Sequence, residues 1–480
     1  MVNPAWLASF PVPSGSSGPA VITSLAGGGT GYFTDQHGNP RLLLADNPWA
    51  LIPNAGRWGG TWQNDIDGYC NARGAQGFTA AYLDPLGNTE NNGVYADGRT
   101  FDGVYPFTAN GTPGDVTTAG QTLGLNNPFW QRVDYFIAGC ARNGITAWLN
   151  AAYTGPGDFA TGGALASLTA AQFTAYGSAL AARYATTQNI IWTVGNDYFG
   201  GTGGSTGTTD TLFSALLTGL RNGGDSHLIS AHNYAESDSR YDFGSGTAGT
   251  EQTWGFQNAQ FSMVYTYIQT YYGVEYAYKE SSPIPVIWGD GYFYQSSGAA
   301  YYAPYDRAMR QFAWWALSSG ARGLNTGSEG IWPWASGALA EVTNEYWYVN
   351  VAGKVRAAVE ALPGWHQLIP DTTSALVTAG RGTHCSETTS GGGGSQYGSA
   401  TTDAYVTASR VPDGSLALIY LSHATTITID QTKMQAGYTA MWIDPSSGAT
   451  TATAVGSSYN SGTKGANSVG DPDWVLALIG

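Results

Sequence analysis

At 480 residues the chain exceeds the roughly 250–300 at which one hydrophobic core stops growing, so two or more domains are expected. A net charge of -15, from 19 Lys and Arg against 34 Asp and Glu with no basic run, argues against nucleic acid and anionic membranes as partners, because both are held by clustered cations. Charged residues make up only 11%, and Gly, at 67, has roughly double its usual share, so the polar surface must rest largely on Ser, Thr, Asn and Tyr.

Residues 1–30 are rich in Pro, Gly and Ser and close on Gly27-Gly28-Gly29-Thr30, the pattern of an N-terminal arm rather than a packed unit. The first six, Met1-Val2-Asn3-Pro4-Ala5-Trp6, lack the basic segment and apolar stretch of a secretion signal, so either a signal has been removed or the protein leaves the cell by another route. Next, 32–34 and 41–44 flank His37-Gly38-Asn39-Pro40, a hairpin signal.

From there apolar runs at 42–45, 78–83, 145–149, 190–194, 228–231, 263–265, 285–288 and 323–325 alternate with amphipathic stretches at 66–76, 130–142, 170–184, 209–221 and 306–319. Eight strands among helices predict a parallel α/β unit over 31–365, with a (β/α)8 barrel leading and a doubly wound sheet as the alternative. After about residue 365 the texture changes to short β-prone runs at 406–408, 416–421, 426–429, 438–443 and 475–479. These predict a small all-β sandwich over 366–480, with 386–399, which includes Gly391 to Gly394, as a flexible loop inside it. No internal repeat is evident.

Cys70, Cys140 and Cys385 fit neither a disulfide framework nor a zinc pattern, and Cys70 and Cys140 fall on helix-like stretches where they should pack as small apolar groups. No run of about eighteen apolar residues is present, so no membrane span is expected. The 17 Trp and 30 Tyr suit stacking on the apolar faces of sugar rings, although any single one is first expected in a core. The Gly-rich stretch 200–204 is not set between a strand and a helix in the manner of a phosphate loop.

Two strands end abruptly in acids. Asn189-Ile190-Ile191-Trp192-Thr193-Val194-Gly195-Asn196-Asp197 delivers Asp197, and Pro285-Val286-Ile287-Trp288-Gly289-Asp290 delivers Asp290. Paired carboxyls are what glycoside hydrolysis needs, one to protonate the leaving oxygen and one to attack or to activate water at the anomeric carbon. In a barrel, residues just past strand C-termini line one rim, which would gather Asp46, Asn150, Asp197, His232, Asp290 and Asn325. The commoner role of an isolated strand-end acid, an N-cap or ion pair, stands beside this reading.

The sequence resembles the apiosidase-like family of (β/α)8-barrel glycoside hydrolases followed by a small β domain of the kind labelled collagen-binding. The resemblance covers roughly 31–480. It is carried by Leu43-Leu44-Ala45-Asp46-Asn47-Pro48-Trp49, Ala75-Gln76-Gly77-Phe78, the two acid-ending strands, Trp314-Trp315-Ala316-Leu317-Ser318-Ser319-Gly320-Ala321, Gly330-Ile331-Trp332 and Trp442-Ile443-Asp444-Pro445. It implies Asp197 as acid/base and Asp290 as nucleophile. The family usually has Glu where Asp290 stands, and the shorter side chain bears on stereochemistry, since retention needs carboxyls about 5–5.5 Å apart and inversion about 6.5–9.5 Å.

By the same resemblance Asp46 and Trp49 would meet sugar hydroxyls and form a stacking wall, Asn196 would hold the hydroxyl next to the reacting carbon, and His232 and Asn233 would face substrate. For His232, a core histidine satisfied by backbone carbonyls is the competing reading. Glu329 is the rival nucleophile, expected first as a binding residue with Asn150 and Trp332.

The sequence is therefore expected to encode a retaining glycosidase acting on a polysaccharide, of arabinofuranose or apiose type by resemblance, with Asp197 protonated and Asp290 ionised. No metal or organic cofactor is implied. An extracellular or virion-associated setting, such as a phage tail depolymerase, is a hypothesis from the missing signal, low charge and Gly/Thr-rich composition; a cleaved signal peptide on the native product would count against it. The alternative is an inactive carbohydrate-binding or adhesion protein that keeps the barrel.

Overall fold

The structure, a computed structural model, describes residues 18–27, 31–86, 98–113, 123–153, 168–198, 207–233, 237–238, 260–266, 269–279, 284–291, 293–294, 305–385 and 403–480. The Gly-rich stretches at 200–204 and 391–394 lie outside the described residues, as does 1–17 of the expected arm.

Eight parallel strands close on themselves: β1 (Leu43–Asp46), β2 (Ala80–Leu83), β3 (Thr146–Asn150), β4 (Ile190–Thr193), β5 (Leu228–Ile229), β6 (Ser262–Tyr265), β7 (Val286–Asp290) and β8 (Gly323–Ser328). Ladders join β2 to β3, β3 to β4 and β4 to β5, and likewise β6 to β7, β7 to β8 and β8 to β1. Two seams remain. Thr79 N–H donates to Leu44 O at 2.9 Å to close β1 on β2, and Gln260 N–H donates to Ile229 O at 2.9 Å to close β5 on β6.

Side chains alternate across these strands as pleating requires. Leu43, Ala45, Ala80, Tyr82, Trp148, Ile191, Leu228, Met263 and Ile287 form one buried interior cluster. Leu42, Leu44, Val286, Trp288 and Leu324 belong to the layer beneath the outer helices. Those helices are α1 (Trp62–Ala75), α2 (Asn127–Arg142), α3 (Ala170–Tyr184), α4 (Gly207–Asn222), α5 (Thr270–Tyr278), α6 (Tyr305–Ser318) and α7 (Gly353–Glu360). The sequence explains their starts: Thr61 Oγ1 caps α1 by accepting from Asn64 N–H, and Thr169 and Gln172 form a reciprocal capping box on α3. Cys70 on α1 and Cys140 on α2 are buried as free thiols, their sulfurs 3.7 Å apart.

Part of the lead-in packs. Ile22–Ala26 pairs antiparallel with Tyr32–Asp35, which turns back on Pro40–Arg41 as the hairpin signal predicts. Ile22 and Phe33 enter the interior cluster, and Ile22 N–H donates to the hydroxyl of Thr146, the first residue of β3, at 2.8 Å. This hairpin closes the floor of the barrel, so the open end is at the strand C-termini.

Beyond the barrel lie two antiparallel sheets. The larger runs in the order Ile369–Pro370, Thr407–Arg410, Leu416–Leu421, Trp474–Ile479, Thr439–Ile443, Thr450–Thr453, and the smaller is Val377–Ala379, Thr426–Ile429, Ser458–Asn460. Ala417, Ile419, Leu421, Leu476 and Leu478 meet Ile427, Ile429 and Tyr459 of the small sheet in a sandwich core. The opposite face, with Leu416, Leu418, Tyr420, Val475 and Ala477, shares a cluster with Trp314 and Trp315 of α6. Arg310 of α6 crosses this seam, with Nε and Nη2 donating to the two carboxylate oxygens of Asp473 at 2.9 and 2.8 Å and Nη2 also to Asp471 at 2.7 Å. Trp314 Nε1–H donates to Pro445 O at 2.8 Å.

Candidate active site

Asp290 ends β7. Val286 and Trp288 face the helices, and strict alternation would send Asp290 the same way. The ladder slips instead: Val264 pairs with Trp288 and Tyr265 with Asp290, so Gly289 is an extra residue whose bulge re-aims the side chain after it. Glycine is required there, because a Cβ at 289 would lie 1.6 Å from Met263 Cγ. Asp290 is 2% exposed, and its Oδ1 accepts from Gly291 N–H at 2.7 Å. Its Oδ2 stands 3.1 Å from Nε2 of His232, at ion-pair distance though out of line for a hydrogen bond.

His232, just past β5, is fully buried, and its Nδ1 lies 2.9 Å from the Tyr82 hydroxyl. A carboxylate only accepts, which calls for hydrogen on Nε2 and leaves Nδ1 to accept from Tyr82. The partners of this ring are thus side chains, not the backbone carbonyls of the competing reading. Trp49 lies 6.0 Å from the His232 ring, Trp332 packs edge-on to Trp49 at 5.8 Å, and Tyr265 packs edge-on to His232 at 5.7 Å. Trp49, His232, Asp290 and Trp332 are therefore brought together at the open end.

After β4 the chain continues as Gly195–Tyr198, laid parallel to His232–Asn233 with Gly195 opposite His232 and Tyr198 opposite Asn233. Gly195 has φ +89° and Asn196 φ +154°. The second is a conformation that costs a residue with a Cβ of order 1–3 kcal/mol and that clusters at functional sites. Asn196 is buried, and neither atom of its amide has a hydrogen-bond partner among the described residues. Asn233 is fully buried beside it. The backbone of Asp197 runs within this strand, and its side chain lies outside the described residues.

Three of the residues expected at the rim make their contacts within the protein. Asn150, expected on substrate, donates from Nδ2 to Gly195 O at 2.6 Å and accepts from Ala152 N–H at 3.2 Å, so its amide pins the bend that carries Asn196 and Asp197. Asn325 does the same on the other side, donating to Gly289 O at 2.6 Å, one residue before Asp290. Asp46, expected on sugar hydroxyls, has the outward register of Leu42 and Leu44. Its carboxylate accepts from Arg73 Nε at 2.6 Å and from the Tyr69 hydroxyl, a buried ion pair between β1 and α1. Glu329, the first residue past β8, is exposed. Burial raises its carboxyl pKa, and a hydrogen bond with Trp332 offsets part of that.

The sequence reading passed over Tyr82, Tyr265, Asp84 and Glu345. Ala80-Ala81-Tyr82-Leu83-Asp84 is also an apolar run ending in an acid, so the signal that found Asp197 and Asp290 applied to Asp84 too. Asp84 is buried and adds to the burial that holds the Tyr176 hydroxyl well above its usual pKa. Glu345 receives a hydrogen bond from Ser328 Oγ at the end of β8, and burial pushes its carboxyl up to about 8. No sequence signal marked it. Among the described residues no group of three or more His, Cys, Asp or Glu is placed to hold a metal ion.

Comparison with known proteins matches residues 28–365 to the family described as "Apiosidase-like, catalytic domain" and residues 396–479 to the "Putative collagen-binding domain of a collagenase". A glycoside hydrolase family 5 protein from Bacteroides vulgatus superposes with a TM-score of 0.70 over 96% of this chain and 92% of its own, at 18% identity. A second solved structure, named a glycoside hydrolase, gives 0.68 over 96% and 97%, at 17% identity. At these identities the two structures establish the shared fold. Among curated proteins none matches the sequence.

Proposed function

The chain belongs to the apiosidase-like family of glycoside hydrolases, and from that premise we propose that it cleaves a furanose-containing polysaccharide, of arabinofuranose or apiose type, with Asp197 as acid/base and Asp290 as nucleophile. That it is a glycoside hydrolase with a carbohydrate substrate follows from the family itself; the sugar, the residues and the stereochemistry are the proposal. The observation that carries it is the setting of Asp290: a bulged strand end turns this carboxylate to the barrel mouth, between Gly291 N–H and His232, beside the strand that holds Asn196 and Asp197.

In this reading Asp197 gives a proton to the leaving oxygen as Asp290 attacks the anomeric carbon, and Asp197 then takes a proton from the water that releases the sugar. His232 Nε2–H stands beside the attacking carboxylate, held by Tyr82 through Nδ1. Its contact with Asp290 is out of line, as catalytic hydrogen bonds often are before substrate binds. The Asn196 amide, which has no hydrogen-bond partner among the described residues, supports a role on a sugar hydroxyl, since burying such a group unpaired costs about 1–3 kcal/mol that a ligand hydrogen bond would relieve. Asn233, Trp49 and Trp332 border the same space. Glu329, just past β8 and hydrogen-bonded with Trp332, is assigned to binding.

The test is oligosaccharide release from arabinofuranose- and apiose-containing polysaccharides by wild type, Asp197→Asn and Asp290→Asn, with the anomeric configuration of the first product read by NMR. Release by wild type alone with retained configuration is expected; inverted product would remove the nucleophile role. No release by any protein, with binding kept on the same polysaccharides, would favour the inactive adhesin. We extend the proposal to an extracellular setting on a virion or cell surface, supported by the low charge content; absence of the protein from purified particles and from the extracellular fraction would remove it.

A further inference from the structure

Trp58 is 48% exposed, the most exposed tryptophan among the described residues, and the rest of the structure fixes its place. It sits in Gly56-Arg57-Trp58-Gly59-Gly60, the loop between β1 and α1, at the open end of the barrel. Its indole Nε1–H donates to Trp334 O at 2.9 Å, which ties the ring to the turn that follows β8. The two loops are clamped again by Asn54 Nδ2 donating to Pro333 O at 3.0 Å. Arg57 Nη1 donates to Asn54 Oδ1 at 3.0 Å, and the Arg57 guanidinium lies 4.8 Å from the Trp58 ring centroid.

The turn that Trp58 grips is the one that presents Trp332 to Trp49, and Trp49 stands over His232. From His232 the path therefore leads through Trp49, Trp332 and Trp334 to Trp58, and the chain between Trp332 and Trp334 spans at most about 7 Å. Along this path Trp49 and Trp334 are buried, Trp332 is partly buried and Trp58 alone is open. Exposing so large an apolar ring forgoes of order 2 kcal/mol of burial, and a free exposed indole would find its N–H partner in water. Here the N–H is turned inward onto a carbonyl and the hydrocarbon body is left outward in a fixed pose.

We infer that Trp58 is a remote glycan-stacking platform, binding a sugar unit of the polysaccharide several residues away from the one cleaved at Asp290. The inference rests on the proposed function and deepens it: a platform outside the mouth serves a long chain, so binding strength and turnover should favour polymer over short glycosides. Fixing the ring in advance reduces the ordering cost of each binding event. Arg57, whose guanidinium lies over the indole, places a cation beside the platform.

The experiment compares wild type, Trp58→Ala and Trp58→Phe on an arabinofuranose- or apiose-containing polysaccharide and on a p-nitrophenyl glycoside of the same sugar. Trp58→Ala is expected to raise KM for the polymer at least tenfold, with kcat and all constants for the aryl glycoside within twofold of wild type. Trp58→Phe, which keeps a face to stack on, should recover most of the loss. Equal effects of Trp58→Ala on both substrates, or none on the polymer, would overturn the inference. Melting temperatures confirm that the variants fold. If wild type turns over neither substrate, the proposed function has failed. The platform is then judged by affinity electrophoresis in the same polysaccharide, where retardation of wild type and Trp58→Ala to the same degree would overturn it.

Discussion

The carboxyl of Glu345 offers a quantitative test of how the end of β8 is held. Burial is the largest influence on it, and Glu341 and Asp46 add to the rise, while the Ser328 hydroxyl and Arg73 oppose it; the balance lifts its pKa from 4.5 to about 8. A carboxyl with a raised folded-state pKa binds its proton more tightly folded than unfolded. The stability it contributes is therefore complete below about pH 4.5 and is lost as pH climbs towards 8. At 1.36 kcal/mol per pH unit, about 3 kcal/mol has gone by pH 7. Glu345→Gln cannot ionise, yet it still accepts from Ser328 Oγ. Thermal unfolding at pH 4, 5.5, 7 and 8 should show variant and wild type nearly equal at pH 4, with the variant gaining progressively to several kcal/mol at pH 8. A difference that does not change with pH, or a variant less stable at pH 8, would refute the reasoning.

Other expectations follow from single contacts. Gly289→Ala should cost about 1–3 kcal/mol and most of the activity, because the new methyl overlaps Met263; adding Met263→Ala should relieve the overlap, so the double variant loses less than the two single losses together, and calorimetry that shows no such coupling counts against the bulge argument. Tyr82→Phe removes the donor to His232 Nδ1 and should lower kcat about tenfold, roughly 1.4 kcal/mol, and, by leaving a buried nitrogen unpaired, should cost about 1–3 kcal/mol of stability; an unchanged kcat and pH profile would detach His232 from turnover. Arg310→Ala leaves Asp473 buried without its bidentate partner and should cost about 3–5 kcal/mol in urea unfolding. A loss below 1 kcal/mol would mean that the seam is held by apolar contact alone.

The barrel was legible because its strands are apolar on both sides. Ile190 to Trp192 and Val286 to Trp288 are buried against the interior and the helices alike, which writes a continuous run into the sequence. The same logic made Leu416–Leu421 stand out, since its two faces meet the small sheet and α6. Side-chain direction was less legible. Asp46 and Asp290 both end a strand on the outward register, yet only Asp290 is turned to the mouth, and the difference is one bulged glycine whose need arises from Met263, 26 residues earlier in the chain. Asn150 was read as a substrate amide and Asn325 only as a rim residue, because their acceptors, Gly195 O and Gly289 O, come from neighbouring strands that sequence spacing does not place. Glu345 left no trace, because what perturbs it is burial supplied by distant segments.

The contact between the C-terminal sandwich and α6 sets how this enzyme can be taken apart or recombined. Auxiliary modules that ride on tethers can be swapped between proteins, since neither side notices the loss. Here the large sheet completes the packing of Trp314 and Trp315, and Arg310 is buried on acids from the far side. Cutting the chain ahead of residue 366 would strip that helix of its cover and leave a guanidinium stranded in an apolar face. The sandwich is thus less an attachment than an outer wall of the barrel, and homologues are expected to inherit or lose the two together.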